Sequence, residues 1–198
     1  GQGFVVTPSD FGVRSAAPSH PELLDYLATW LVKNDWSIKK LNRLILLSST
    51  WQQLSVDRAK YRKADPENKW LWRMNRRRLG FEAMRDSMLS VAGQLERRTG
   101  GRPTEQRPDD SSNRRRTMYL FVDREELPDL FRVFDFPCPD ISAPGRSRTT
   151  VPQQSLFLLN SPFVIAQAEA TVQHLDRNND EAEQGICQLY RQVFGREP

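Results

Sequence analysis

Glu82 and Asp86 stand four residues apart with Arg85 between them, a spacing that puts both carboxylates on one face of a helix. Carboxylates such as Glu82, Asp86 or Asp10, converging about 5 to 10 Å apart in a cleft, would suit acid/base hydrolysis of a polysaccharide or related polymer. The structural alternative is an ion-pair network. In it Glu82 reaches Arg78 four residues before it and Arg85 three after, each pair worth about 0.3 kcal/mol when exposed. Asp86 lies four residues beyond Glu82, where like charges repel, and so turns to a cation elsewhere. That network is the favoured reading.

His20 follows Ser19 and precedes Pro21, with Glu22 and Asp25 near it, so it has the chemistry of a metal ligand or general base. The only other histidine is His174, and a capping or buried, hydrogen-bonded imidazole is the simpler role. Arg73, Arg76, Arg77 and Arg78, interleaved with Trp70 and Trp72, could hold nucleic-acid phosphates and stack bases. Arg114 to Arg116 would be the only other part of such a surface, and nucleic acid ranks third among the functional readings. Arg146 and Arg148, beside Thr149 and Thr150, either form an anion site at a helix N-terminus or pair with Asp135. Cys138 and Cys187 are the only cysteines, either bonded to one another or two half-buried thiols; no C-x-x-C-H haem motif occurs. The sequence also lacks a Gly-rich phosphate loop, a G-x-S-x-G elbow and an H-E-x-x-H.

The elements that must position these groups are helical. Residues 1–19 are turn-rich and read as an extended arm. Ser19 or His20 caps a helix with Pro21 in its first turn and Leu23, Leu24, Leu27, Ala28 and Leu31 at helical spacing. Asn34-Asp35 ends it. Ser37 caps a second helix through Ile38, Leu41, Leu44, Ile45 and Leu47, and the short turn predicts an αα-hairpin. Asp65-Pro66-Glu67-Asn68 is a break.

The strongest periodicity, Phe81, Met84, Met88, Val91 and Leu95, predicts a helix over Arg78 to Arg98 with that row as its core seam. Residues 99–113 read as a flexible loop, Thr117 to Val122 as a short strand that pairs near Phe4 to Val6, and Glu125 to Phe134 as a helix. Thr150 to Gln153 reads as a capping box, Ser161 as a cap before Pro162, and Asp180 with Glu183 as the start of a last helix ending at Gly195.

The chain has 198 residues, enough for one domain, and no apolar stretch long enough to cross a membrane. Its net charge of +4 conceals a segregation: residues 70–116 carry 12 Arg against 6 acids, residues 117–198 carry 7 Arg against 12 acids. Opposite-signed segments pair internally, so Arg73 to Arg78 and Arg114 to Arg116 are expected against Asp86, Asp123, Asp129 and Asp135. The start at Gly1 and the close at Pro198 read as those of a fragment.

Several ordered strings then suggest kinship. They include Thr7 to Gly12, Ser19 to Asp25, Trp36 to Lys39, Asp65 to Asn68, Trp72 to Leu79, Glu82 to Asp86, Phe134 to Pro137, Thr149 to Leu156 and Leu159 to Phe163. Together they resemble the planctomycete PSD-one domain, domain of unknown function fifteen-fifty-three, over nearly the whole chain. The resemblance implies a C-terminal domain of a large exported protein, periplasmic or at the cell envelope, with any haem confined to cytochrome-c-like domains elsewhere in the parent. The closing Leu189 to Pro198 also looks like a helix-ending motif of the companion planctomycete domain.

The expectation is therefore a single, mainly α domain over 1–198, an irregular helical bundle with long loops and at most one small β element. It holds no cofactor or metal of its own. Its function is that of a non-catalytic accessory or interaction module, whose partners are other domains of the parent protein, or an extracellular protein or polysaccharide. A hydrolytic enzyme domain is the main alternative.

Overall fold

The computed structural model describes residues 3–175 and 182–198 and divides into two compact units, Gly1–Arg77 and Arg78–Pro198. The described residues form eight α-helices and one 3₁₀ turn, and their only β pairings are two isolated bridges. The chain is mainly α, as its sequence predicts.

In the first unit, residues 4–19 close into a loop through the Ser19 N–H and the Phe4 carbonyl, 2.8 Å apart. Helix α1 (Pro21–Lys33) begins with Pro21 and Glu22 in its first turn. Its expected side-chain cap is not made, because His20 Nδ1 and Ser19 Oγ meet each other at 2.9 Å. Asp35 and Trp36, with φ of 58° and 56°, turn the chain into α2 (Ile38–Leu46), which packs on α1. Ser37 caps α2 as predicted, accepting the Lys40 N–H at 3.3 Å.

A short α3 (Ala59–Ala64), which periodicity does not reveal, leads into the Asp65–Asn68 break. That break is a polar knot. The Asp65 carboxylate accepts the N–H groups of Lys69 and Trp70 at 3.0 and 2.8 Å, and its carbonyl accepts the Trp72 indole N–H. Asn68 donates to the Arg73 carbonyl at 2.8 Å and accepts the Arg73 N–H. Asp65 and Asn68 are buried, whereas no apolar side chain among the described residues of this unit is.

The second unit has the apolar core. Phe81, Leu120, Leu127, Phe131 and Phe134 are buried together, flanked by Met84, Phe136 and Phe157. Phe81 meets Phe131 edge-on at 5.5 Å and Phe134 at 5.1 Å. Tilted and edge-on rings at these distances gain about 0.5–1.5 kcal/mol per pair beyond area burial. The core spans α4 (Phe81–Val91), α5 (Asp129–Val133) and α6 (Pro152–Asn160). Against α4 and α6 packs α7 (Pro162–His174), and α8 (Ala182–Phe194) ties to α4 through Gln192 Nε2 and the Val91 carbonyl at 2.6 Å.

Several local expectations are corrected here. Helix α4 stops at Val91 rather than Arg98, because Gly93 adopts φ 69° and closes a Schellman motif. In it Gly93 N–H bonds to the Ser90 carbonyl and Gln94 N–H to that of Leu89. Its buried row is Phe81, Arg85 and Leu89, continued by Ala92, while Met84, Met88 and Val91 lie half-buried beside it.

Thr117–Tyr119 is a 3₁₀ turn and not a strand. The Thr117 N–H and hydroxyl are both taken by Asp86, so only Leu120 remains to bridge, and it bridges Thr104 instead of residues 4–6. The Glu125–Phe134 helix shrinks to α5, because Pro128 precedes its first residue. The capping box expected at Thr150 is not made: Val151 is the N-cap and has no side-chain acceptor, and only its N–H is held, by Gln154 Oε1 at 3.4 Å. Ser161 makes no side-chain cap, Gly195 ends α8 at φ 65°, and Asp180 lies outside the described residues.

Gly93 provides a test of this register. An added Cβ would sit 3.1 Å from the His174 ring as well as forcing an L side chain into the left-handed region. Gly93→Ala is expected to lower stability by about 1–2 kcal/mol, read as a lower urea midpoint; an unchanged midpoint would show that the Schellman turn is not what ends α4.

Candidate functional site

Helix α4 carries three of the candidate residues in two polar nodes. The first is Arg85, which is 1% exposed. Its Nε donates to the Pro108 carbonyl at 2.7 Å, Nη2 to Asn113 O at 2.6 Å, and Nη1 to Arg115 O at 2.9 Å and to Thr117 Oγ1 at 3.3 Å. The guanidinium also lies 5.3 Å over the ring of buried Phe163. Burial pushes its pKa down, opposed by the charges of Asp86 and Asp110, but an arginine stays protonated throughout the working range.

The expected Glu82 partnership is not made. Arg85 reaches loop carbonyls, with only a long contact of 3.9 Å to Asp86. Asp86 uses one oxygen for the Thr117 N–H and hydroxyl, both at 2.7 Å, and the other for Arg116 Nε at 3.5 Å. The cation elsewhere is thus Arg116.

The second node surrounds the 145–150 segment. Arg146 Nη1 lies 2.7 Å from each oxygen of Glu82, and its guanidinium stacks 5.0 Å over Phe136. Asp135 accepts the Thr149 N–H and hydroxyl, both at 2.8 Å, rather than an arginine. Arg78 Nη1 donates to the Thr149 carbonyl at 3.0 Å and to Thr150 Oγ1 at 3.1 Å. Residues 78, 82, 135 and 146 therefore come together, while Arg148 stays exposed. The Arg146 anion site is already filled by Glu82.

The remaining candidates stay apart from these nodes. Asp10 accepts the Gly12 N–H at 2.9 Å within its own loop. His20 packs between Phe4 and Trp70, at 5.8 and 6.2 Å. Arg76 Nε donates to the Ser55 carbonyl at 3.3 Å, and Arg77 is exposed. Of the remaining expected acid partners, Asp123 accepts the Glu125 N–H. Cys138 and Cys187 are free thiols.

What sequence reasoning missed is the concave surface itself. Two cavities of about 360 and 380 Å³ share Arg132, Phe136 and Cys138. They lie beside the turn in which Asp135 takes φ 58° and the Phe136 N–H returns to the Phe131 carbonyl at 2.9 Å. The paired prolines around Cys138 were the one available signal. Among the described residues no cluster of three or more His, Cys, Asp or Glu could hold a metal, and no helix is long and apolar enough to cross a membrane.

The ordered motifs have a match over residues 1–198, to PSD1, "Protein of unknown function (DUF1553)". The chain belongs to the PSD1 family. No curated protein and no solved structure matches it. Within this PSD1 domain, the strings Trp72 to Leu79, Glu82 to Asp86, Phe134 to Pro137 and Thr149 to Leu156 each contribute residues to the nodes.

Arg85 is the residue on which the first node turns. Arg85→Met is expected to cost about 3–5 kcal/mol, since it strips the donor from three carbonyls, and Arg85→Lys should recover little, because one ammonium cannot span them. Urea unfolding and proteolysis within 99–116 would check this. A Lys variant as stable and as protease-resistant as the parent chain would contradict it.

Proposed function

We propose that this PSD1 domain is a non-catalytic accessory or interaction domain of a larger exported protein. The observation that supports it is the state of the carboxylates. Glu82 is held by Arg146, Asp86 by Thr117 and Arg116, and Asp135 by Thr149. Asp10 closes a local turn. A general base or nucleophile needs free lone pairs facing a cleft. Carboxylates whose oxygens are already taken by arginine and by N–H or hydroxyl donors serve as structural acceptors. The same engagement weighs against the polysaccharide-hydrolase alternative.

The arginines likewise weigh against nucleic acid for the second unit. Arg78, Arg85 and Arg115 direct their donors at the chain's own carbonyls, and Arg116 at Asp86. Those four are not free to hold phosphates.

The test is a pull-down of the parent protein with and without residues 1–198, with the co-purifying proteins quantified by mass spectrometry. Partners recovered with the intact protein should fall away when the domain is removed. An identical partner set would overturn the reading.

A further inference from the structure

Tryptophan and lysine, two residue types that suit a lipid interface, are confined to the first unit. All five Trp (Trp30, Trp36, Trp51, Trp70, Trp72) and all six Lys lie within Gly1–Arg77, where 13 cations face 7 acids. Arg78–Pro198 has 16 cations against 18 acids. The first unit is thus +6 and the second −2.

The apolar side chains of the first unit are turned outward. Trp36 is 68% exposed, Trp70 77%, Leu46 48% and Leu47 60%. Helix α2 combines these features. Leu41, Leu44 and Ile45 are half-buried, while Lys39, Lys40 and Arg43 share the exposed face with Leu46 and Leu47. Trp36 precedes this helix and Trp51 follows it, and the 4–19 loop adds exposed Phe11 and Val13. A short basic amphipathic helix with tryptophans beside it suits the plane of a bilayer surface. Indoles settle at the headgroup level, leucines reach the acyl boundary, and lysines meet anionic headgroups.

Nucleic acid fits less well. Exposed Leu46, Leu47 and Val13 gain nothing from phosphates or base faces, and three of the unit's arginines are engaged, Arg62 with Asp57 at 2.8 Å, Arg73 over Trp72 at 5.0 Å and Arg76 with the Ser55 carbonyl.

We propose that the first unit binds the surface of an anionic bilayer, with α2, Trp36 and Trp51 seated among the headgroups. This goes beyond the accessory reading and is independent of it: protein partners can depend on the domain whether or not the domain touches lipid.

The experiment mixes the 198-residue chain with vesicles of phosphatidylcholine alone and of phosphatidylcholine with phosphatidylglycerol, and follows intrinsic fluorescence and co-sedimentation. Because every Trp is in the first unit, the emission reports on that unit alone. Vesicles containing phosphatidylglycerol should pull down the chain and shift its emission to the blue. Brominated lipid should quench the emission, and added salt should reverse the binding.

Lys39→Glu with Lys40→Glu should weaken binding about tenfold or more with unchanged far-UV circular dichroism. Arg97→Glu with Arg98→Glu, the same change in net charge placed in the second unit, should leave it intact. No binding, equal binding to phosphatidylcholine alone, or equal weakening by both double variants would overturn the proposal. So would a chain that ignores vesicles while forming a dimer or binding an oligonucleotide tightly. The salt and quenching arms need no variant, so they decide the matter even if a substituted chain fails to fold.

Discussion

A buried guanidinium that cannot shed its proton must be surrounded by acceptors, and Arg85 meets that condition with backbone. The acceptors come from 108–117, a stretch with neither helix nor sheet to satisfy its own carbonyls. The two deficits cancel. Once Arg85 gathers Pro108, Asn113 and Arg115, Thr117 arrives beside Asp86, whose carboxylate takes its N–H and hydroxyl and tightens the 3₁₀ turn. That turn delivers Leu120 into the phenylalanine core and leaves it to bridge Thr104. The register of the core thus depends on one cation in the middle of an otherwise apolar row.

The same device recurs. Arg115 donates to the carbonyls of Gly100 and Arg102 at 2.7 and 2.8 Å while stacking on Tyr119 at 4.5 Å. Arg78 holds the Thr149 carbonyl and Arg76 that of Ser55. A fold with long irregular connections has many carbonyls that no ladder will satisfy, and arginine offers five donors on one rigid plane. These arginines serve loop architecture, and of the expected Arg–carboxylate contacts Asp86 finds Arg116, while Glu82 pairs with Arg146 rather than with Arg78 or Arg85.

How much of this was legible follows from what periodicity can encode. The apolar spacing marks helices α1, α2 and α4, because each presents a stripe. It assigns the wrong centre to α4, since an arginine scores as surface whatever its donors do; Met84, Met88 and Val91 flank the row that Arg85 and Leu89 occupy. It overextends α4 because Gly93 acts only through its conformation, and it mistakes 117–122 for a strand because β-branched and aromatic content says nothing of Asp86 claiming Thr117. Helix α3, Ala-Lys-Tyr-Arg-Lys-Ala, has no stripe to find. The cleft beside Phe136 was out of reach for another reason. Its walls are loops, brought together by the left-handed turn at Asp135 and by Thr149, fourteen residues away.

The two units differ in how they are held. In the second, Phe81, Phe131 and Phe134 are withdrawn from water, and burial at about 25 cal/mol per Å² of apolar surface supplies the driving force. In the first, the buried side chains are Asp65 and Asn68, which fix geometry through six hydrogen bonds but gain little net free energy from being buried. The αα-hairpin half-buries Leu41, Leu44 and Ile45 and leaves leucine and tryptophan in water. A piece of this size recovers only a modest part of its apolar surface by folding alone. Its exposed side chains are consequently the largest unused source of hydrophobic free energy in the molecule. A surface outside the chain that covers them would stabilise the first unit in direct proportion to the area it removes from water, without requiring the second unit's core to change.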